Sequence, residues 1–448
     1  MLIFLSTGVW IKSKVINILS TGNYGFKLSS TKAYKKLSTY PQPLLLLLYL
    51  YSLFVFFLVK TKKSKPVDNF IHRAKIGGKI MKFFCDKNVL NGKISIVQKA
   101  ISNRTTMPSL QGILIKAKDE KITMIGSDLD LTIETEFSSN IEEEGTILVE
   151  SRLFGDIIRK LPNETVKIEN KDNLIQITCK RATFNLVCLN KDDYPTLTTI
   201  SSADSFKICE CILKDIIRNT IFSVSQEETR PVLTGILFDI NEEHLNSIAL
   251  DGYRLAFSSE NIKSNFSIKE IIPGKTLTEL NKLLTDCEEV VEMSFDRNHV
   301  LFKTKDIKVM SRLLEGDFVE YNNIIPKEFE IIFSINKNEI QECIERASLV
   351  TRDGDSNTSL VIFNIKNNSL EIKSESKLGN FSEELDIKNI KGSSLRTAFN
   401  AKYLLDVFKV MDSEDITMNF NTAVTPCIIK KLDDESNIYL ILPVKISA

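Results

Sequence analysis

Hydrophobic and polar residues follow one pattern twice between residues 81 and 200. Each round predicts a short strand, then a helix with apolar residues on one face, then three strands whose side chains alternate. The first round predicts a strand at 82–85, a helix at 89–101 and strands at 112–117, 121–127 and 131–137. The second predicts a strand at 146–149, a helix at 153–161 and strands at 166–169, 174–179 and 184–189.

The same pattern recurs twice more along the chain. An offset of 123 residues places Phe83 on Phe206, and a further 127 residues place Phe206 on Phe333. Such periodicity indicates three copies of one unit. Six strand–helix–three-strand units predict an α+β fold dominated by antiparallel sheet. The predicted domains are 81–200, 201–326 and 327–448, which agrees with a prior of about 150 residues per domain.

The first 80 residues differ in charge from the remainder. They hold thirteen of the 58 Lys and Arg residues and one of the 58 Asp and Glu residues, so a net charge of +12 there is balanced by −12 over 81–448. An uncharged stretch at 44–59, about 24 Å long as a helix, is short for a bilayer core of about 30 Å but allows a marginal membrane anchor. A targeting peptide is a second interpretation.

A third interpretation of residues 1–80 is that they are not translated. Residues 76–80 can be encoded by AUA GGA GGU AAA AUA, which contains a ribosome-binding sequence just before Met81. We favour this interpretation, and the intact mass of the natural protein distinguishes the three. All eight cysteines follow Met81 and none forms Cys-x-x-Cys, so we expect free thiols in a reducing cytoplasm.

Several short motifs occur at fixed places in the threefold repeat. They are Met81-Lys-Phe-Phe, Gly126-Ser-Asp128-Leu-Asp, Ala249-Leu-Asp-Gly-Tyr-Arg-Leu-Ala256, Phe399-Asn-Ala-Lys-Tyr-Leu-Leu-Asp406 and Tyr439-Leu-Ile-Leu-Pro-Val444. With these motifs in this order, residues 81–448 resemble the bacterial DNA polymerase III beta subunit, the sliding clamp of replication. The resemblance implies a ring of two head-to-tail chains around duplex DNA, with helices lining the hole and sheets outside.

The resemblance also implies sequence-independent contacts to DNA phosphates. Repeat offsets bring Arg152, Lys275 and Lys402 to one equivalent position, at or just ahead of the second helix of each domain. A helix N-terminus with an adjacent cation suits phosphate. The family pattern has basic residues at the first two positions, whereas Lys402 is an extension by the repeat. Arg104 matches a further DNA-facing arginine, and Gly274 stands where many members have Arg.

The stretch 248–257 predicts a strand that reverses tightly at Asp251-Gly252, with Tyr253, Arg254 and Leu255 on an exposed corner. By resemblance it forms part of a pocket between domains two and three that binds short apolar peptides of the polymerase, the loader and repair proteins. The alternative is that these residues only close the domain boundary. The implied wall is Leu233, Leu250, Gly252, Tyr253, Arg254, Leu255, Val319, Ile324, Tyr403, Pro426, Leu440, Leu442 and Val444.

The implied homodimer interface joins domain one of one chain to domain three of the other. Its matching apolar positions are Phe184, Leu186, Leu349 and Val350, with Arg181 as an ionic partner. Head-to-tail surfaces must close to avoid filaments, and two three-domain chains give a six-domain ring.

No catalytic or cofactor motif is evident in the sequence. Gly274-Lys275-Thr276 resembles the end of a phosphate-binding loop, but Lys269 occupies the position of the required earlier glycine. His244 and His299, the two histidines after Met81, are far apart in sequence. We therefore expect a non-catalytic processivity factor without metal or cofactor. The alternatives are a clamp tethered to a membrane through 44–59 and a nucleic-acid enzyme.

Overall fold

The computed structural model describes residues 81–445 apart from 103–104, 197–199, 201–203, 286, 352–358 and 367, together with two short strands near the N-terminus. The chain divides into two units, Met1–Gly77 and Gly78–Ala448. In the first unit, Ile3–Phe4 pairs antiparallel with Trp10–Ile11. The stretch 44–59, considered above as an anchor, lies outside the described residues, as does Arg104.

The second unit contains six strand–helix–three-strand units, as predicted. The first third comprises β1 (Lys82–Asp86), α1 (Lys87–Val97), β2 (Gly112–Lys118), β3 (Lys121–Ser127), β4 (Leu131–Ser138), β5 (Asn140–Glu143), β6 (Gly145–Glu150), α2 (Ser151–Lys160), β7 (Thr165–Lys171), β8 (Leu174–Cys179) and β9 (Ala182–Val187). The second third comprises β10 (Ser205–Cys209), α3 (Glu210–Thr220), β11 (Gly235–Ile240), β12 (His244–Leu250), β13 (Arg254–Asn261), β14 (Ile268–Pro273), α4 (Gly274–Asn281), β15 (Val290–Asp296), β16 (His299–Lys303) and β17 (Ile307–Arg312).

The last third repeats this order. It comprises β18 (Ile331–Asn336), α5 (Lys337–Thr351), β19 (Leu360–Lys366), β20 (Ser369–Ser376), β21 (Gly379–Asp386), β22 (Lys388–Lys391), β23 (Leu395–Asn400), α6 (Ala401–Val410), β24 (Asp415–Phe420), β25 (Cys427–Lys431) and β26 (Asn437–Ile441). Strands β5 and β22, one at the same place in each outer third, were not predicted, because their four residues are too few and too polar to show alternation.

The bounds of α1 and β9 differ from those predicted. Helix α1 begins before the predicted residue 89, because Asp86 Oδ1 accepts hydrogen bonds from the backbone N–H groups of Asn88 (2.8 Å) and Val89 (3.2 Å). Its last turn becomes a 3-10 helix that ends at Ala100, so Ile101 lies outside it. Strand β9 begins and ends two residues earlier than predicted.

Two of the sheets in the described part of the second unit cross domain boundaries. The eight-stranded sheet has the order β10-β15-β16-β17-β4-β3-β2-β6, and Ser311 of β17 pairs with Leu131 of β4. The nine-stranded sheet has the order β14-β11-β12-β13-β26-β25-β24-β18-β22, and Ile441 of β26 pairs with Arg254 of β13. At both boundaries, the last strand of one domain's first half therefore pairs with the last strand of the next domain.

Two strands at these repeat positions, β9 and β21, have no partner across a boundary and lie at the edges of their sheets. Strand β9 is the edge of the sheet β9-β8-β7-β1-β5, and β21 is the edge of the sheet β21-β20-β19-β23. Each therefore presents a row of backbone N–H and C=O groups without a strand partner in the described residues.

The core of each domain lies between its two helices, which pack against each other, and one face of its sheets. The repeat-equivalent Phe83, Phe206 and Phe333 are all buried there. Replacing a buried Phe by Ala typically costs about 3–5 kcal/mol, so these positions stabilise every copy of the unit. Neighbours in a strand point to opposite faces. Leu237, between the core residues Ile236 and Phe238, therefore belongs to a separate apolar cluster on the sheet face away from the helices.

Candidate functional site at the boundary of the second and third domains

The chain reverses between β12 and β13 at Asp251-Gly252. Gly252 has φ +90°, a conformation that residues with a Cβ rarely adopt. Asp251 Oδ1 accepts hydrogen bonds from the backbone N–H groups of Tyr253 (2.9 Å) and Arg254 (3.0 Å), which fixes the turn. Tyr253 is 60% exposed, as predicted, but Arg254 is 8% and Leu255 only 2% exposed. The prediction that all three lie on an exposed corner is wrong for these two, because β26 pairs with β13 and covers them.

Arg254 connects the two domains. Its Nε lies 3.0 Å from Asp251 Oδ2, and its Nη1 lies 2.7 Å from Asp406 Oδ2 on α6 of the third domain. The guanidinium carbon lies 4.5 Å from the ring centre of Tyr403 and 5.4 Å from that of Phe222. Two carboxylates and two aromatic faces therefore surround one buried cation, which is the condition under which a buried charge is tolerated.

An apolar cluster forms the floor beside this arginine. Of the predicted wall, Leu233, Leu250, Leu255 and Leu440 are buried members of the cluster, and Ile324 packs against it. Tyr253 and Tyr403 stack with ring centres 6.3 Å apart. Within the described residues, Val319 and Pro426 are not part of this cluster.

The C-terminal segment after β26 forms a rim. The backbone N–H of Leu442 donates to Tyr253 O (2.8 Å), and that of Val444 donates to Ala398 O (2.8 Å). Leu442 and Val444 are each 37% exposed, and Val319 is 41% exposed. The result is a buried apolar floor with exposed apolar side chains and two stacked tyrosines around it, which suits an apolar peptide side chain.

Sequence reasoning missed two residues of this site, Phe222 and Asp406. Asp406 had a usable signal, because it lies three residues after Tyr403 and residues at that spacing share a helix face. Phe222 had none, since it lies in a 3-10 turn after α3 and meets Arg254 only through tertiary packing.

The three repeat-equivalent cations each occupy the second residue of a helix. Arg152, Lys275 and Lys402 lie at this position in α2, α4 and α6, as the repeat predicted. At the starts of α2 and α6, a side chain already accepts from a backbone N–H group that could otherwise face an anion. Glu150 accepts from the N–H of Arg152 (2.9 Å), and the side chain of Asn400 accepts from the N–H of Lys402 (3.0 Å).

The side chains of these cations differ in their surroundings. Lys275 Nζ lies 2.5 Å from Asp128 Oδ2 of the first domain, and the lysine side chain is 65% exposed. Arg152 and Lys402 are exposed and make no ion pair within the described residues. At α2 and α6 the exposed cationic side chains, rather than these capped N–H groups, are available to an anion, and Lys275 is already paired with Asp128.

The predicted dimer residues lie on the edge strand β9, just before it, or on helix α5, which packs against the edge strand β21. Phe184 is 39% exposed on β9, and Leu349 is 58% exposed near the end of α5. Leu186 and Val350 are partly buried, and Arg181 is exposed just before β9. Two further apolar side chains, Val187 (67%) and Leu378 (68%), are exposed at or beside these edges. Exposed apolar groups of this kind typically mark interaction surfaces.

Comparison with known families explains this architecture. Residues 81–198, 207–320 and 322–445 match, in order, the models of the N-terminal, central and C-terminal domains of the DNA polymerase III beta subunit. The chain belongs to the DNA polymerase III beta subunit family. The family prediction and the prediction of three tandem α+β domains are both confirmed, and the first 80 residues lie outside all three family matches.

Relatives of the beta subunit family match over their full length. A beta sliding clamp of Staphylococcus aureus is 36% identical over 379 residues, which is 82% of this chain and 100% of the relative. The crystal structure of the Bacillus subtilis DNA polymerase sliding clamp is 37% identical with a TM-score of 0.80, and that of a beta subunit from Eubacterium rectale is 33% identical with a TM-score of 0.78. Each solved structure also covers 82% of this chain and 100% of its own.

Two further observations concern the predicted alternatives for this beta subunit. Among the described residues, the helices are too short or too polar to cross a bilayer. The same residues contain no cluster of three or more His, Cys, Asp or Glu side chains arranged to hold a metal ion.

All eight cysteines are free thiols, and burial raises the pKa of Cys85 to about 12.

Proposed function

We propose that this protein is a DNA sliding clamp: a closed ring of two chains that encircles duplex DNA and holds a replicative polymerase on it. The observation that carries the proposal is the sheet pairing across both internal domain boundaries. The same two strand positions pair each time, and the third such pair, β21 and β9, is left open within one chain. A second copy, placed head to tail, supplies the missing partner at both ends.

The internal boundaries also indicate the register of the proposed interface. Ser311 pairs with Leu131, and the equivalent strand pairs of the other domains make Leu186 of β9 and Gly379 of β21 their counterparts. We therefore place Leu186 opposite Gly379 and Asn185 opposite Asn380 of the second chain. The exposed Phe184 and Leu349 would be buried in this arrangement, with Val350 and Arg181 beside them.

DNA would be held mainly by enclosure and secondarily by cations. The unit of residues 81–448 carries a net charge of −12, so general attraction to DNA is unfavourable, and local cations are needed. We assign this role to Arg152, Lys275 and Lys402, with Arg104 as a fourth residue. Contacts to phosphates carry no sequence information, which suits a protein that must slide.

The site between the second and third domains would dock partner peptides. Its apolar floor and exposed rim suit one or two large apolar side chains of a polymerase subunit, a clamp loader or a repair protein. In this proposal Arg254 builds the wall rather than contacting the peptide, because its guanidinium is already engaged by Asp251 and Asp406. The protein would act without catalysis, in the cytoplasm, through domains at 81–200, 201–326 and 327–448.

A topological experiment tests the ring. The full-length protein is placed by a clamp loader on nicked circular DNA and washed at a salt concentration that removes ordinary basic proteins. We expect the protein to stay on the circle and to be lost when the DNA is cut once. Equal, salt-sensitive retention on circular and linear DNA would refute enclosure.

A matched pair of variants links this result to the free edges. Phe184→Asp introduces a charge on β9 and is expected to abolish retention on the circle. Leu432→Asp changes an equally apolar residue, 45% exposed in the turn after β25 and away from both edges, and is expected to behave like the unaltered protein. Loss of retention in both variants would show that the effect does not depend on the proposed interface.

A further inference from the structure

A groove of about 760 Å³ crosses the boundary of the first and second domains, on the sheet face away from the helices. Pairing between β4 and β17 creates it, because one cross-strand row then runs from Leu114 through Ile125 and Glu134 to Lys308 and Lys303. The row is apolar at its first-domain end and charged at the other. The volume lies within the range of about 300–1,000 Å³ typical of ligand sites.

The second internal boundary carries the equivalent row with different chemistry. There Leu237, Ile248, Phe257, Ile438 and Lys430 occupy the corresponding positions. The third and fourth positions of the row are thus Phe and Ile at one boundary and Glu and Lys at the other. The strands pair in the same way at both boundaries, but the side chains on the two rows differ. The groove at the first boundary is therefore suited to a different ligand from that of the apolar site at the second.

Charge identifies the class of ligand. The groove is lined by four lysines and two carboxylates, namely Lys116, Lys191, Lys303, Lys308, Glu134 and Asp192. Lys308 Nζ is paired with Glu134 at 2.7 Å, and Lys303 Nζ with Glu292 at 3.1 Å. Lys116 and Lys191 are exposed and form no ion pair within the described residues. Asp192 likewise forms no ion pair there, so the unpaired charges of the lining sum to +1, and beside Leu114 and Ile125 they favour an anionic ligand with an apolar part.

A tyrosine that lines the groove carries a buried hydroxyl group. Tyr194 lines the groove and packs against the cluster of Leu114, Ile125 and Leu148. Its hydroxyl oxygen is buried and has no hydrogen-bond partner in the described part of the chain. By contrast, the hydroxyl of Tyr321, in the segment after β17, donates to Asp239 Oδ2 at 2.9 Å. A buried hydroxyl without a partner costs free energy, which an acceptor on a ligand would remove.

We propose that this groove, formed by Leu114, Ile125, Lys116, Lys191, Met310 and Tyr194, binds a short acidic peptide segment of a partner protein that carries a large apolar side chain. The apolar side chain rests on Leu114, Ile125 and Met310. The acidic side chains face Lys116 and Lys191, and a peptide or carboxylate oxygen accepts the hydrogen bond of the Tyr194 hydroxyl. Because the groove lies within one chain, the proposal does not depend on ring closure.

Methyl NMR of the full-length protein tests the location and the charge preference. The probes are the peptides Ac-Glu-Glu-Leu-Phe-NH2 and Ac-Lys-Lys-Leu-Phe-NH2, and the Ile125 and Met310 methyl groups report on the groove. Methyl groups of Ile324 and Ile428 report on the apolar site at the other boundary. We expect the acidic peptide to shift Ile125 and Met310 and the basic peptide to leave them unchanged. Equal shifts by both peptides, or shifts at Ile324 and Ile428 alone, would overturn the proposal.

Three variants sharpen the test. Lys116→Glu is expected to weaken binding of the acidic peptide roughly tenfold, since one attraction becomes a repulsion. Lys118→Glu makes the same change on the same strand outside the groove and should alter the affinity less than about twofold. Tyr194→Phe should weaken binding roughly three- to tenfold and leave the urea midpoint unchanged or raised, because the removed hydroxyl has no internal partner. A lowered midpoint with unchanged affinity would instead assign the hydroxyl a structural role and refute its part in binding.

Discussion

Replacing Arg254 with alanine should loosen the boundary between the second and third domains. The change leaves Asp251 without its cation and Asp406 with only the exposed Lys409, 3.9 Å away, and it removes the guanidinium that lies against Tyr403 and Phe222. Removing one partner of a buried ion pair costs about 3–5 kcal/mol. The three charged side chains here are 9%, 14% and 19% exposed, so partial hydration of the carboxylates favours the lower end, about 3 kcal/mol.

Native-state hydrogen exchange is the suitable assay, because a protein of several domains does not unfold in one step. The amide of Leu442, which donates to Tyr253 O, reports on opening of the boundary. A loss of 3 kcal/mol corresponds to a roughly hundredfold faster exchange of this amide. The amide of Ile168 in β7, paired with Phe83 in the first domain, should exchange at its former rate.

Two comparison variants separate the specific contact from loss of charge. Arg312→Ala removes an arginine that is 55% exposed and 3.4 Å from Glu315, and it should cost less than about 1 kcal/mol. Arg254→Lys keeps the charge but loses the planar fork that reaches both carboxylates, so an intermediate effect is expected. If Arg254→Ala accelerates exchange at Leu442 no more than Arg312→Ala does, the assignment of Arg254 as the connection between these domains is refuted.

Three further outcomes are expected. A chain with Asn185→Cys and Asn380→Cys should form interchain disulfides under mild oxidation, because the repeat places these positions opposite each other; a product that stays monomeric on non-reducing gels would contradict this register. Lys402→Ala should lower DNA affinity and reduce the salt slope by about one phosphate contact, whereas Lys409→Ala on the same helix should not; equal slopes would remove Lys402 from the DNA-binding set. Burial raises the pKa of Tyr321 from 10.0 to about 12, so the unfolded chain loses this proton first and stability should fall between those pH values. Tyr321→Phe should flatten that part of the pH–stability curve. An unchanged curve would show that titration of Tyr321 does not cause the loss of stability.

Much of the fold followed from local pattern. The spacing of apolar residues over 153–161 predicts a buried face made of Phe154, Ile157, Ile158 and Leu161, and all four are at most 9% exposed. The 123- and 127-residue offsets placed Arg152, Lys275 and Lys402 at equivalent helix starts, which the structure bears out to the residue. Such features depend on periodicity within a few turns or strands, so the sequence alone contains them.

Tertiary structure decided which side chains face each other across domain boundaries. Arg254 follows an exposed turn and looked exposed, but β26, nearly two hundred residues later, pairs with β13 and encloses it. Glu134 and Lys308 meet only because β4 and β17 pair, and this pairing opens the groove beside Tyr194. The sequence by itself determined the repeated unit, the helix starts and the family. The partners of Arg254, the occupied helix N-termini and the second groove depend on contacts between distant segments, which local periodicity does not encode.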